Sequence, residues 1–276
     1  MTATKQGVVD LMRMRRISAL AILMVAVVSV CMAMLAKTTD AAVPRKAVVV
    51  ELFTSEGCSS CPPADELLGR LRRELSAKNV EVIPLGFHVD YWDGLGWKDR
   101  FSSAKFTQRQ EQYAQSLKVE GPYTPEMVVD GAVEFVGNDA GRAQSTIRQQ
   151  ASQLETAQVK IAPAGADQLS IQVKGPAASA SSSGGNALVM LAITEDNLST
   201  QVGSGENGGR TLHHAAVVRD LRQVGALKDG GIETTVPLNL RKDWKRNDLH
   251  AVVFIQNGPS GKIVGAASVA LADQLR

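Results

Sequence analysis

The sequence predicts an α/β domain on a largely parallel sheet, followed by an antiparallel β-sandwich-like domain. Three observations predict it. From Ala47 to about residue 155, short apolar runs alternate with segments whose apolar residues recur at helical spacing. Beyond Gln158, seven short apolar or alternating runs follow one another with no helical pattern between them. Clusters of small and turn-forming residues, such as "GPAASASSSGGN" (175–186), separate those runs. With 276 residues, 44% of them hydrophobic and 21% charged, the chain can fill two ordinary cores.

The N-terminus stands apart. Arg13, Arg15 and Arg16 precede the uncharged run "ISALAILMVAVVSVCMAML" (17–35), the basic-then-apolar order of a secretory signal. The run is also nearly long enough to cross a bilayer. Residues 1–36 therefore read as a signal peptide or an N-terminal membrane anchor, and 37–46 as a linker. Either way the remainder is expected outside the cytoplasm: periplasmic or secreted, or anchored to the inner membrane and facing the periplasm. Residues 1–36 hold Lys5, Arg13, Arg15 and Arg16 against Asp10 alone, so the formal +2 of the whole chain becomes −1 without them. That balance excludes an electrostatic footprint for nucleic acid. Of three cysteines, Cys31 lies in the apolar run, leaving Cys58 and Cys61 with no second pair to complete a thiolate zinc site.

Each element of the first domain (47–155) has its own warrant. "AVVVELF" (47–53) is a β-branched apolar run, the pattern of a strand buried on both faces. "CSSC" follows, then Pro62 and Pro63, which suit a first helical turn, and Leu67, Leu68, Leu71 and Leu75 at helical spacing. A second strand is expected in "VEVIPLGF" (80–87), then the polar and aromatic stretch "HVDYWDGLGW" (88–97). Phe106, Gln110, Tyr113 and Leu117 mark a helix over 102–117. Asp130-Gly131 centres a hairpin in "GPYTPEMVVDGAVEFVG" (121–137), and Ala140 to Leu154 closes the domain as a helix. The order is β-α-β-α-β-β-α. The second domain (156–276) takes the seven remaining strands.

A C-x-x-C at the end of the first strand, with Thr124-Pro125 opening the third, resembles the thioredoxin fold. The motifs "ELFTSEGCSSCPPAD", "HVDYWDGLGW", "RQEQYA" and "YTPEMVVDG" resemble, more closely, the exported bacterial thioredoxin-like family catalogued as domain of unknown function 1223. The resemblance implies a cis Pro125 facing a redox-active pair; it supplies no substrate, and Glu126 stands where the family carries Gln. In thiol–disulfide exchange one thiolate attacks and a second thiol resolves the mixed disulfide. Cys58, at the solvent end of the turn, suits the first role and Cys61 the second. The helix N-terminus favours a thiolate at Cys58, while Glu56, Asp65, Glu66 and Glu126 oppose it, so a weak oxidant of the reductase or isomerase kind is expected. Thr124, Trp92 and Tyr123 are candidate substrate contacts; Glu56, His88, Asp90 and Glu126 are candidate tuning groups. No cofactor is expected beyond the disulfide itself, and the expected partner is a protein thiol or disulfide, with the membrane touched only through the N-terminal segment.

Bland readings stand beside these. The pair can be a permanent staple in an envelope binding protein, although a two-residue loop constrains the unfolded chain little. Trp92 and Trp97 can pack the loop while Asp90 and Asp93 bond its turns; a His88, Asp90 and Asp93 metal set rests on composition alone. "GSGENG" (203–208) matches a glycine fingerprint but lacks the strand-then-helix setting. Glu206, Arg210 and His213 nearby either face the redox pair or belong to a plain surface loop.

Overall fold

The computed structural model describes residues 47–76, 80–153, 156–175, 187–227, 230–258 and 261–272. The expected signal or anchor and linker lie outside the described residues. The expected first-half order appears: β1 (Ala47–Thr54), α1 (Pro62–Ser76), β2 (Glu81–His88), α2 (Ala104–Leu117), β3 (Glu126–Val129), β4 (Val133–Val136) and α3 (Ala140–Ala151). Then come β5 (Gln158–Pro163), β6 (Gln168–Lys174), β7 (Ala187–Glu195), β8 (Leu198–Gln201), β9 (Thr211–His214), β10 (Val217–Ala226), β11 (Gly231–Pro237), β12 (Leu249–Asn257) and β13 (Ile263–Ala270). β1 and β2 run parallel in full register, and β3 and β4 add antiparallel beyond β1. No helix among the described residues is long and apolar enough to cross a membrane.

The second half is not a separate sandwich. One eight-stranded sheet runs β13-β12-β7-β10-β2-β1-β3-β4 through both halves, and Arg45–Arg276 forms one compact unit. The expected boundary near residue 155 therefore falls inside a single body. The reason lies at the outer edge of β2. There Val217 pairs with Gly86, and the Gly86 N–H donates to the Ala216 carbonyl at 2.7 Å. Pro84 is two residues before Gly86, so its nitrogen faces the same edge, where its missing N–H interrupts no ladder. Among the described residues, β11-β6-β5 form a second, three-stranded sheet and β8-β9 a two-stranded one.

Alternation along the large sheet sorts its side chains into two faces. Val49, Phe53, Leu85, Phe87, Ala192, Val252 and Phe254 pack on one face with Phe106 and Tyr113 of α2. On the other face, Val48, Val50 and Leu52 meet Leu67, Leu68, Leu71 and Leu75 of α1 and Ile147 of α3. The β5-β6-β11 layer covers that same face further along, with Leu169, Ile171 and Val173 against Leu191, Ile193, Val253 and Ile255. Each fully buried leucine contributes about 1.5–3 kcal/mol as an upper bound. Ser103 caps α2 by accepting the Lys105 N–H, and Asp139 caps α3 by accepting that of Arg142. At the β3–β4 turn, Asp130 (φ 48°) and Gly131 (φ 59°) are both left-handed. A Cβ at Gly131 would lie 2.1 Å from the Gly261 carbonyl oxygen, so glycine alone lets the second half approach there.

Candidate functional site

β1 delivers the chain to a turn, Ser55–Ser60, that opens α1. The Cys58 N–H donates to the Ser55 carbonyl, and that of Cys61 to the Cys58 carbonyl. Cys58 and Cys61 are joined as a disulfide, and both are wholly buried at 0% exposure. That corrects the expected position of Cys58. Ser59 and Ser60 are the exposed residues of the turn, and the Ser60 hydroxyl donates to Cys58 Sγ across 3.4 Å.

The cover comes from the glycine-rich segment 203–209, between β8 and β9. Asn207 lies in the middle of this otherwise exposed segment and is itself fully buried. Its amide donates to the carbonyls of Glu56 and Cys58, both at 2.9 Å, and accepts from Arg210 Nη1 at 2.7 Å. Glu206 accepts the Ser59 N–H at 3.0 Å, and the Ser204 hydroxyl donates to the Gly96 carbonyl. The segment is thus fastened to the cysteine turn by polar bonds rather than by an apolar core. "GSGENG" is a loop, as its missing helix implied, but a loop docked on the disulfide.

Behind the turn lies a buried acid–base cluster. His88, at the end of β2, places Nδ1 2.6 Å from Asp99 Oδ2. The same Asp99 oxygen accepts the Glu56 N–H at 2.9 Å. Glu56 Oε2 accepts from Trp97 Nε1 at 2.8 Å. His214 Nε2 lies 3.3 Å from Glu56 Oε1, within ion-pair reach but outside hydrogen-bond alignment. The His88 and His214 rings meet edge to face, 5.0 Å between centroids. Asp65, in the first turn of α1, accepts the Thr54 hydroxyl at 3.1 Å.

Burial works against every charge here, and the partners decide the outcome. Burial alone would lower the His88 pKa; the charge and hydrogen bond of Asp99 outweigh it and raise the value. Burial would raise Asp99, but His88 and two backbone N–H donors hold it low. Burial and the Asp99 charge would raise Glu56, but His214, Thr200 and Trp97 together hold it below its usual range. For Asp65, burial wins and pushes the pKa up to about 6. The cluster therefore places one carboxyl that titrates near 6, Asp65, among buried charged partners beside a disulfide.

The other expected site residues divide. The Thr124-Pro125 bond is cis. Trp92 ties that segment to the cysteine turn: its Nε1 donates to Thr124 Oγ1 at 2.8 Å, and its Cβ would lie 3.3 Å from a Cβ added at Gly57. Glu126 is buried, its pKa pushed up to about 7 chiefly by burial, and it accepts from Gln110 at 2.6 Å. Tyr123 turns away to donate to Glu134. Asp90 accepts from the Thr107 hydroxyl, and Asp93 from the Asp99 N–H and the Ser102 hydroxyl. Asp90 ties the loop to α2 and Asp93 closes the loop on itself, and neither bonds the disulfide turn or His88. Asp99, Asn207 and His214 belong to the site and were not singled out by sequence, and Asp65, expected only to oppose a thiolate at Cys58, joins the buried cluster. His213, which was, is exposed.

The family described as "Protein of unknown function (DUF1223)" matches residues 49–256. A crystal structure of protein AGR_C_4864 from Agrobacterium tumefaciens is similar at 30% identity and a TM-score of 0.64, covering 83% of this chain and 96% of that one. HBP35 of Porphyromonas gingivalis is similar in fold, with 18% identity and a TM-score of 0.59, covering 82% of this chain and 76% of that one. No curated protein matches the chain.

Proposed function

The chain belongs to the DUF1223 family of proteins of unknown function, and from that premise we propose a thiol–disulfide oxidoreductase of the reductase or isomerase kind, on a thioredoxin-like frame, acting outside the cytoplasm. The observation that carries the reading is the buried cluster of His88, Asp99, Glu56, His214 and Asp65 directly behind the Cys58–Cys61 turn. A permanent staple has no use for a buried acid–base cluster behind it. A disulfide that opens does, because its reduction to two thiols takes up two electrons and two protons. In the reducing half, a donor thiolate attacks Cys58 Sγ, the bond to Cys61 breaks, and Cys61 leaves as a thiolate that is then protonated. A second donor thiolate attacks the mixed disulfide, expelling Cys58 as a thiolate and forming the donor disulfide. In the working half, the Cys58 thiolate attacks a substrate disulfide, one substrate sulfur leaves as a thiolate, and Cys61 resolves the mixed disulfide as the second substrate thiolate departs. The neighbouring cis Thr124-Pro125 and the charged-then-apolar N-terminal run support the frame and the location.

Cys58 is buried and segment 203–209 is bonded to its turn, so this reading has that segment lift before each attack. The same burial favours a second reading: a binding protein whose disulfide is permanent. One titration separates the two. The protein is equilibrated in glutathione buffers of graded potential, and Cys58 and Cys61 are trapped and read by mass spectrometry. A reversible transition near the poise of an oxidising compartment is expected. A pair that stays closed in strongly reducing buffer leaves the binding protein.

A further inference from the structure

A second polar cavity, of 590 Å³, opens beside the loop that carries Asp99. Its wall is built around Arg219 of β10, whose guanidinium lies 5.2 Å from the Phe101 ring centroid and 5.4 Å from that of Trp244. Glu195, 1% exposed at the end of β7, uses both oxygens: Oε2 for Arg219 and Oε1 for the Lys245 N–H at 2.9 Å. Arg241 pairs with Asp243 at 3.1 Å. Two of the four lining cations are thereby matched by the two lining carboxylates.

The other two, Arg100 and Lys245, make no ion pair among the described residues. Both are nonetheless held in place. Arg100 Nη2 donates to the Ser199 carbonyl at 2.8 Å, with its guanidinium 4.5 Å from the Phe101 centroid, and Lys245 Nζ donates to the Asn197 carbonyl at 3.4 Å. Those carbonyls are two residues apart, so they lie no more than about 7 Å from each other. Two positive charges without an ion pair thus line one edge of one cavity, each bonded to a carbonyl of the Asn197–Ser199 segment. Burial, and then the nearby charges of Arg100 and Arg241, lower the pKa of Arg219 despite Glu195. The cavity therefore carries an excess of positive field that an anion would relieve.

We propose that this cavity binds a small phosphoryl dianion, with Arg100 and Lys245 as its two charge partners and Arg219 as the third cation of the wall. A phosphoryl group suits the site because one centre supplies two charges and oxygens in several directions, and guanidinium forks match it. A single carboxylate leaves one of the two cations unmatched. The site stands whether or not the disulfide is redox-active.

The test is calorimetric titration of the whole protein with inorganic phosphate and phenyl phosphate, against acetate and succinate at equal ionic strength. Saturable binding of both phosphoryl probes is expected, at least tenfold tighter than acetate and succinate. Arg100→Gln and Lys245→Gln should each weaken phosphate at least tenfold, while Arg70→Gln, on α1, leaves it unchanged. Thermal unfolding checks the variants: without phosphate their midpoints should match the parent, and added phosphate should raise the midpoints of the parent and of Arg70→Gln more than those of Arg100→Gln and Lys245→Gln. No saturable phosphate binding by the parent overturns the proposal. So does succinate bound as tightly as phosphate, or a Lys245→Gln variant that binds undiminished.

Discussion

Glu51 and Glu56 lie five positions apart, both completely buried, and their surroundings could hardly differ more. Glu51 is gripped by Arg109 through Nε (2.6 Å) and Nη2 (2.9 Å), and by the Tyr113 hydroxyl at 2.6 Å. Arg109 keeps its charge at any ordinary pH, and burial pushes the Tyr113 hydroxyl well above its normal range. Neither the guanidinium nor the phenol changes charge at ordinary pH. Glu56 faces Trp97, His214 and, through Asp99, His88. Imidazoles change charge within the physiological range. One strand thus feeds a fixed fastening at its middle and an adjustable charge cluster just past its end, and only the adjustable one adjoins the disulfide.

The largest test breaks the fastening. Arg109→Met leaves Glu51 buried without its cation and should cost about 3–5 kcal/mol in urea denaturation. A loss below about 1 kcal/mol would remove the contrast with Glu56.

The next sharpens the adjustable side. The Asp65 pKa rises on folding from 3.8 to about 6. The native state therefore holds this proton through a window in which the unfolded chain has lost it. Stability from this group is full below about pH 4, falls as pH rises to about 6, and then levels; two pKa units correspond to about 3 kcal/mol. Asp65→Asn should remove that slope, measured as the difference between parent and variant denaturation at pH 4 and pH 7. An unchanged slope would place the proton elsewhere.

A smaller effect concerns the cover. Asn207→Ala deletes two hydrogen bonds to the cysteine turn. Dithiothreitol should then reduce the disulfide about tenfold faster, the equivalent of about 1.4 kcal/mol in opening. An unchanged rate would mean that segment 203–209 does not limit access. The smallest is Trp92→Phe, which loses the bond to Thr124 and should cost about 1 kcal/mol.

What the sequence disclosed follows from the range of the forces involved. β1, α1, β2 and α2 are written in local periodicity, and Ser103 and Asp139 begin their helices where capping chemistry places them. The union of both halves into one sheet was not legible, because the Gly86–Val217 bridge joins segments whose own patterns are equally consistent with two sheets. The paired histidines show the same limit at the site. Consecutive strand residues face opposite ways, so one of His213 and His214 had to turn inward, but only the packing of β9 against α1 and β2 decides that it is His214. Asn207 gave no signal at all: a polar residue among glycines does not name the carbonyls it will reach. Asp65 carried a faint one, an acid among the leucines of an amphipathic helix.

The single bridge at Gly86 also sets an order of events during biogenesis. A chain made from its N-terminus completes β1 and β2 long before Val217 exists, and for that interval the Gly86 N–H has no strand to receive it. Pro84 shortens the stretch of backbone on offer, which blunts the invitation to a strand from another molecule. A product terminated near residue 155 keeps that edge open, and self-association is its expected outcome, read by size-exclusion chromatography.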